Sequence, residues 1–374
     1  MMIDYLRYYA GPACVAVGVT GFVYGGPWMW AGFATYFILA IADLLLPRDV
    51  AERHITNAWL ADLPLFAHTA LMLALYGAFI AQANSAGGVS AWPWYEIVGA
   101  IASLAWLTAV PNLPAQHELL HRRGAFSRSC AFVLGALYGD PLRGLPHIHG
   151  HHIHLGTPKD SDTARRGETM YTFPFRATWG SYSDSWTLEK ERFARRGLSA
   201  LSPSNRFIQA IAFEIGMFGA VGWVAGAAAM AVMFAGVAGA KLLIEAFNYY
   251  QHFGIVRVPG TAYERRHLWN HLQMGIRAVA FEITNHSDHH MDAFKPFYRL
   301  RPDTRGPQMP SVFVCFMAGM IPPLWFRWIA QPRLADWDKH FATEAERALA
   351  RAANRAAGWP DWLGEDPACA AQAT

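Results

Sequence analysis

Nine histidines in four places could do metal chemistry. The stretch "QHELLHRR" holds His117 and His121 at i,i+4, which sets both on one face of a helix. The stretch "PHIHGHHIHLGTPKDSDT" crowds five histidines into eight residues. There His147 and His151 repeat the i,i+4 spacing, and His152 is adjacent. "EAFNYYQHFG" adds His252. "NHSDHH" brings His286, His289 and His290 at i, i+3 and i+4, again one face. A zinc ion takes four or five ligands, so nine imidazoles suit two ions with open positions. Neutral imidazole serves iron, zinc, copper or nickel. Soluble di-iron bundles rely on Glu and Glu-x-x-His ligands. Carboxylates are sparse in these clusters, so the ligand field is rich in nitrogen. Glu118, Asp160, Asp162, Glu245, Glu282 and Asp288 are better suited to orient ring N–H groups. Glu282 stands one turn before His286, on the same helical face.

Other histidines take plainer readings. "HLWNH" gives His267 and His271 the same i,i+4 spacing, which fits packing or support of the site. His54, His68 and His340 are isolated, as structural or exposed residues are. Two other chemistries compete. "HELLH" matches the H-E-x-x-H pattern of zinc proteases, but an intramembrane protease leaves seven clustered histidines unexplained. A metal-ion transporter needs ligands near the bilayer midplane on broken helices, whereas these lie at span ends.

The elements that must position the clusters are membrane helices. Of 374 residues, 53% are hydrophobic and only 16% charged, against about 25% charged in a soluble domain. A span needs roughly 20 mostly apolar residues. The sequence predicts an all-α integral membrane protein, one domain over residues 1–374, with about six transmembrane helices. These fall at about 6–24, 28–46, 60–83, 97–113, 207–222 and 226–247. The last two come from one apolar run of some 40 residues, turning near Gly222–Gly226. The run Val312–Ala330 is broken by Pro322-Pro323 and Arg327, which suits packing on the core or at the interface. Residues 114–206 and 248–374 read as a cap of helices and loops.

Charge sets the orientation. The joins after spans one, three and five carry no Lys or Arg; those after two, four and six do. By the positive-inside rule both termini, the cap and all four clusters face the cytoplasm. Trp92, Trp94 and Tyr95 then form an outer aromatic belt. No cleavable-signal pattern precedes the first span, which reads as retained. The net charge of +3 and the lack of a basic, aromatic-interleaved cluster exclude nucleic acid as a partner. Cys14, Cys130, Cys315 and Cys369 are scattered, with no C-x-x-C pair for an iron–sulfur or disulfide site.

The ordered motifs H-E-L-x-H, H-x-x-G-H-H, N-Y-x-x-H-x-G and H-S-D-H-H resemble the membrane-bound alkane hydroxylase and xylene monooxygenase family. These are di-iron monooxygenases, more distantly related to fatty acid desaturases. The resemblance runs over nearly the whole chain and includes "YGDP", "TPKDSDT" and "PQMPSVFVCFMAGMIPPLWF". It implies His117, His121, His147, His151, His152, His252, His286, His289 and His290 as ligands of two iron ions. His149 and His154 match no required position. Pro146, Gln251 and Asn285 stand where the alkane pattern has Glu, Glu and Arg. These departures point to the alkyl-aromatic branch, of the xylene, toluene and p-cymene type, rather than to linear alkanes.

The resemblance implies hydroxylation of a methyl or benzylic C–H bond with O2. The chain has no credible dinucleotide fingerprint, so the electrons must come from elsewhere. The implied source is an NADH-dependent reductase with flavin and a [2Fe–2S] centre; rubredoxin is the alternative. Arg122, Arg123, Arg165, Arg166, Arg195 and Arg196 are candidates to dock an acidic partner. The expected location is a bacterial-type inner membrane, where an apolar arene dissolves.

Overall fold

A computed structural model describes residues 2–85 and 87–364. The expectations for Cys369 and for the end of the cap lie outside the described residues. The chain is built of helices: α1 (Ala10–Tyr24), α2 (Ala31–Leu45), α3 (Ala58–Ala83), α4 (Trp94–Ala109), α5 (Asn112–Leu120), α6 (Ala125–Ala136), α7 (Phe173–Ala194) and α8 (Arg206–Gln251). Among the described residues the β-structure amounts to isolated bridges, such as Ala164 with Phe253. Among the described residues, four segments are long and apolar enough to cross a membrane: Gly26–Leu45, Ala58–Ala83, Trp94–Leu120 and Arg206–Gln251. Helix α1 is apolar but only 15 residues long.

Helix α8 doubles back. Gly226 has φ 88° and ψ 166°, a conformation essentially reserved for glycine. The rings of Phe218 and Phe234 lie 5.8 Å apart. In a straight helix, 16 residues would separate them by about 24 Å. The apolar run is therefore two antiparallel helices hinged at Gly226.

Small residues let the helices approach. Gly18 on α1 and Gly32 on α2 face Leu107 of α4, and Gly32 also faces Ser103. A Cβ at either position would press on Leu107 unless that side chain shifted, and small residues at such contacts are common between membrane helices. Ser103 Oγ donates to the Met29 carbonyl at 2.6 Å, and Trp106 donates to Thr35 at 2.8 Å. Both polar groups are thereby satisfied in an apolar bundle. At the connections, Tyr24, Trp28, Trp94 and Trp223 are all exposed, the pattern of an aromatic girdle.

The run after residue 311 is not a further long helix. Helix α10 (Val312–Gly319) packs back on the bundle, with Phe316 stacked on Phe247 at 4.9 Å. It follows α9 (His286–Met291) and precedes α11 (Gln331–His340) and α12 (Glu344–Ala357). Pro322 and Pro323 begin a new turn after the break, since proline interrupts a continuing helix. Buried Arg166 fastens this region. It donates to Asp338 at 2.6 and 2.7 Å, to Asn354 at 2.8 Å and to the Gly254 carbonyl at 2.9 Å.

Candidate metal centre

All nine histidines of the four clusters converge. His117 comes from α5 and His121 from its C-terminal end. His252 ends α8, and His286, His289 and His290 ride on α9. His147, His151 and His152 come from one unusual turn. Residues His147–His151 form a π-helix. In an α-helix, His152 would point about 140° away from His147. At about 4.4 residues per turn the wider coil brings it within about 50°. One insertion thus lets residues at i, i+4 and i+5 face the same space.

The rings sort into two groups. His117, His121, His147 and His289 have ligand atoms within 4.8 Å of one another, as do His151, His252 and His290. His152 joins the first group, with Nε2 3.1 Å from His147 Nε2. His286 joins the second, with Nε2 3.0 Å from His252 Nε2. His152 and His290 stack at 4.4 Å where the groups meet. His149 is exposed and His154 half-buried.

The donor set fits bound metal. Nε2 of His117 and His147 approach to 2.8 Å. At metal–nitrogen distances of about 2.1 Å, donors at right angles lie about 3.0 Å apart and tetrahedral donors about 3.4 Å. The three close pairs, at 2.8, 3.1 and 3.0 Å, match the right-angle geometry of a higher coordination number. Nε2 of His121, His151, His289 and His290 is buried without a protein partner. A buried acceptor with no donor is costly, and a cation would satisfy these.

Burial disfavours the charged form of most of these imidazoles. Burial holds His121 near a pKa of about 4. Burial and neighbouring imidazoles press His147, His252, His289 and His290 well below the usual value, and His152 to about 2. Neutral imidazole is the metal-binding form. His151 differs. Burial opposes its charge, but Asp160 outweighs it and raises the pKa. Asp160 Oδ2 lies 2.9 Å from His151 Nδ1, which leaves Nε2 free to face a metal.

The other carboxylates have nearer partners. Glu118 accepts from Arg122 at 2.8 Å. Glu245 accepts from Arg143 and Lys241, each at 2.8 Å. Asp162 faces Arg143 at 3.8 Å. Asp288 accepts from Arg265 and Lys295. Glu282 does not share a helical face with His286. Phe281 and Glu282 adopt positive φ values of 45° and 58°, and the helix begins only at His286. The Glu282 side chain instead accepts from Tyr8, Arg53, Arg277 and Asn285. Direct hydrogen bonding to a site imidazole thus falls to Asp160 among the six candidates. Cations outcompete imidazole N–H for the rest.

His267 and His271 stand outside the ring cluster. His267 pairs with Glu346 at 2.7 Å and His271 with the Pro310 carbonyl at 2.6 Å. His68 is buried, whereas His54 and His340 are exposed. Two of the proposed surface arginines are committed inward: Arg166 to Asp338 and Asn354, and Arg122 to Glu118 and Asp62. Arg123, Arg165, Arg195 and Arg196 remain exposed.

A family model described as fatty acid desaturase matches residues 91–313, a stretch that holds all nine converging histidines. The chain belongs to the fatty acid desaturase family. It is similar to the xylene/toluene monooxygenase hydroxylase component XylM of Pseudomonas putida, 44% identical over 96% of this chain and 97% of that one. It is 29% identical to alkane 1-monooxygenase 1 of Pseudomonas aeruginosa, over 88% and 90% of the two chains. It is 30% identical to an alkane 1-monooxygenase of Pseudomonas putida, over 67% and 63%.

Beside the centre of this desaturase-family chain lies a narrow, mostly apolar cleft that the histidine pattern did not reveal. Leu113, Ile244, Phe247, Ile283 and Val312 line it, with Asn248, Gln251 and Thr284 as polar members. Leu113 lies one turn before His117, Gln251 immediately before His252, and Thr284 two residues before His286. Adjacency to the candidate ligand positions was the available signal. Apolar residues in spans look alike until the fold shows which ones face inward.

Proposed function

We propose that the chain is the hydroxylase component of a membrane monooxygenase acting on the methyl or benzylic C–H bonds of small alkyl-aromatics. The observation that carries this reading is the convergence of nine imidazoles, with an apolar cleft lined by their near neighbours in the chain, Leu113, Gln251 and Thr284. When bound there, a pair of iron ions supplies the reductive activation of O2 that C–H hydroxylation needs. His117, His121, His147, His152 and His289 would hold one ion, and His151, His252, His286 and His290 the other.

The chain's own residues do the rest. Asp160 keeps the proton of His151 on Nδ1, so Nε2 stays a donor to metal. Leu113, Ile244, Phe247 and Ile283 hold an apolar substrate and exclude water, which limits side reactions of the oxidant. Glu118 is engaged by Arg122 and is not free to act as the base of a zinc protease. The departures at Pro146, Gln251 and Asn285, together with the resemblance to the xylene/toluene enzyme, favour arenes over alkanes.

One oxygen atom enters the product and the other leaves as water, which consumes two electrons per turnover. An NADH-dependent flavin and [2Fe–2S] reductase is the proposed donor, with rubredoxin the alternative. It would dock where His152 and His290 line an open groove with Ile153, Tyr263 and Met291. Arg257 is the basic residue among those lining that groove. The proposed topology is six spans, cytoplasmic termini and a cytoplasmic centre in the bacterial inner membrane.

Product analysis tests this in cells that also make the reductase. Benzyl alcohol from toluene should far exceed 1-octanol from octane, and purified protein should hold about two iron ions per chain. A preference for octane would move the assignment to a medium-chain alkane 1-monooxygenase. One zinc per chain with no hydroxylation would overturn it.

A further inference from the structure

A buried chain of charged groups links the two walls of the centre. Arg143 precedes the π-turn, and its carbonyl accepts from the His147 N–H at 3.0 Å. Its guanidinium donates to Glu245 at 2.8 Å. Glu245 sits on α8, seven residues before His252, so about two helical turns separate them. Lys241 bridges Glu245 at 2.8 Å and Asp140 at 2.6 Å. On its other side Arg143 faces Asp162 at 3.8 Å. The Asp162 N–H donates to Asp160 at 3.0 Å, and Asp160 holds His151. All of these side chains are buried.

Such a chain is costly to assemble away from water and is rarely needed for stability alone. Here it joins three separate segments: the π-turn, the end of α8 and the loop carrying Asp160. His151 and His252 arrive from two of them, and their rings lie 4.4 Å apart. Among the described residues, no comparable ion pair ties Glu245 or Arg143 to α5, which carries His117. We infer that Arg143 and Glu245 are a positioning pair that sets the His151–His252 half of the centre.

The inference rests on the two-ion reading above and is tested by counting ions rather than by activity. The full chain, purified in detergent, is loaded with ferrous iron and counted, then titrated with cobalt(II) by visible absorbance. Wild type should hold two ions. Glu245→Gln and Arg143→Met should hold one, with the second cobalt bound at least ten-fold more weakly. Adding His117→Ala to either variant should abolish the remaining ion, placing it in the other half. Arg143→Lys keeps the charge and should restore the second ion. Glu245→Asp, which only shortens the reach, serves if Glu245→Gln does not accumulate, and should weaken the second cobalt alone. Two ions at wild-type affinity in every variant, or joint loss of both, would overturn the positioning role. Fewer than two ions in wild type would sink the two-ion reading itself, and this inference with it.

Discussion

The carboxylate of Asp160 lies 2.9 Å from Nδ1 of His151 and is fixed from behind by Thr163 Oγ1 at 2.6 Å and the Asp162 N–H at 3.0 Å. Three donors converge on one carboxylate, so its position is over-determined. Losing such a partner of a ligand histidine typically costs 10–100-fold in metal affinity or activity. Asp160→Asn, which preserves shape, should lower hydroxylation by about that factor and weaken one of two bound ions. Rate and metal content measured on the same preparation check this. Unchanged values in both would show that His151 needs no orienting carboxylate.

The five crowded histidines should separate under single alanine replacement. His147, His151 and His152 face the shared space, while His149 is exposed and His154 half-buried outside the ring cluster. Hydroxylation in isolated membranes should fall to background for the first three and stay near wild type for the other two. Loss of activity in His149→Ala with full iron content would assign that ring a role the geometry does not give it.

Much of the centre was legible because helical spacing is rigid. His117 with His121, and His286 with His289 and His290, needed only the 3.6-residue period to share a face. The reversal inside the long apolar run was legible too, since 40 apolar residues exceed one span and glycine marks a turn. What sequence periodicity could not supply was any departure from the ideal period. The π-turn that brings His152 beside His147 is one such case. The left-handed pair Phe281 and Glu282, which turns a supposed helical neighbour of His286 toward Arg53 and Arg277, is another. Arg166 read as a surface charge because its partners Asp338 and Asn354 lie far away in sequence.

Gly226 should tolerate no side chain at its hinge. Its backbone lies in a region that residues with a Cβ reach at a cost of about 1–3 kcal/mol. The space around it is open, so the penalty is conformational and not steric. Gly226→Ala should lower the thermal unfolding midpoint, while Gly219→Ala, on the adjoining helix with equally open space, should not. Equal midpoints for the two variants would show that the hinge relaxes freely.

Acid should loosen the C-terminal helix α12 through Glu346. This buried carboxylate accepts from the Thr343 N–H at 2.9 Å and from His267 at 2.7 Å, with Arg266 alongside. Burial raises its pKa, but these donors outweigh it and hold the value at about 2, below the ordinary 4.5. A depressed folded pKa means the unfolded chain binds the proton more readily, so stability falls as pH falls. The contribution is complete above pH 4.5 and is lost progressively toward pH 2. Burial, partly offset by Glu346, also lowers the pKa of His267, so its contribution has the same sign and begins to fade below pH 6.5. At pH 7, Glu346→Gln should destabilise the protein by about 1–3 kcal/mol, the usual cost of breaking a buried charged hydrogen-bond set. Thermal unfolding of both proteins between pH 7 and pH 3 separates this from metal loss, which acid causes equally in each. The gap between them should not shrink from pH 7 to about 5 and should then close. A gap that stays constant to pH 3 would mean that Glu346 does not titrate with folding, and that the His267 contact is not what fastens α12.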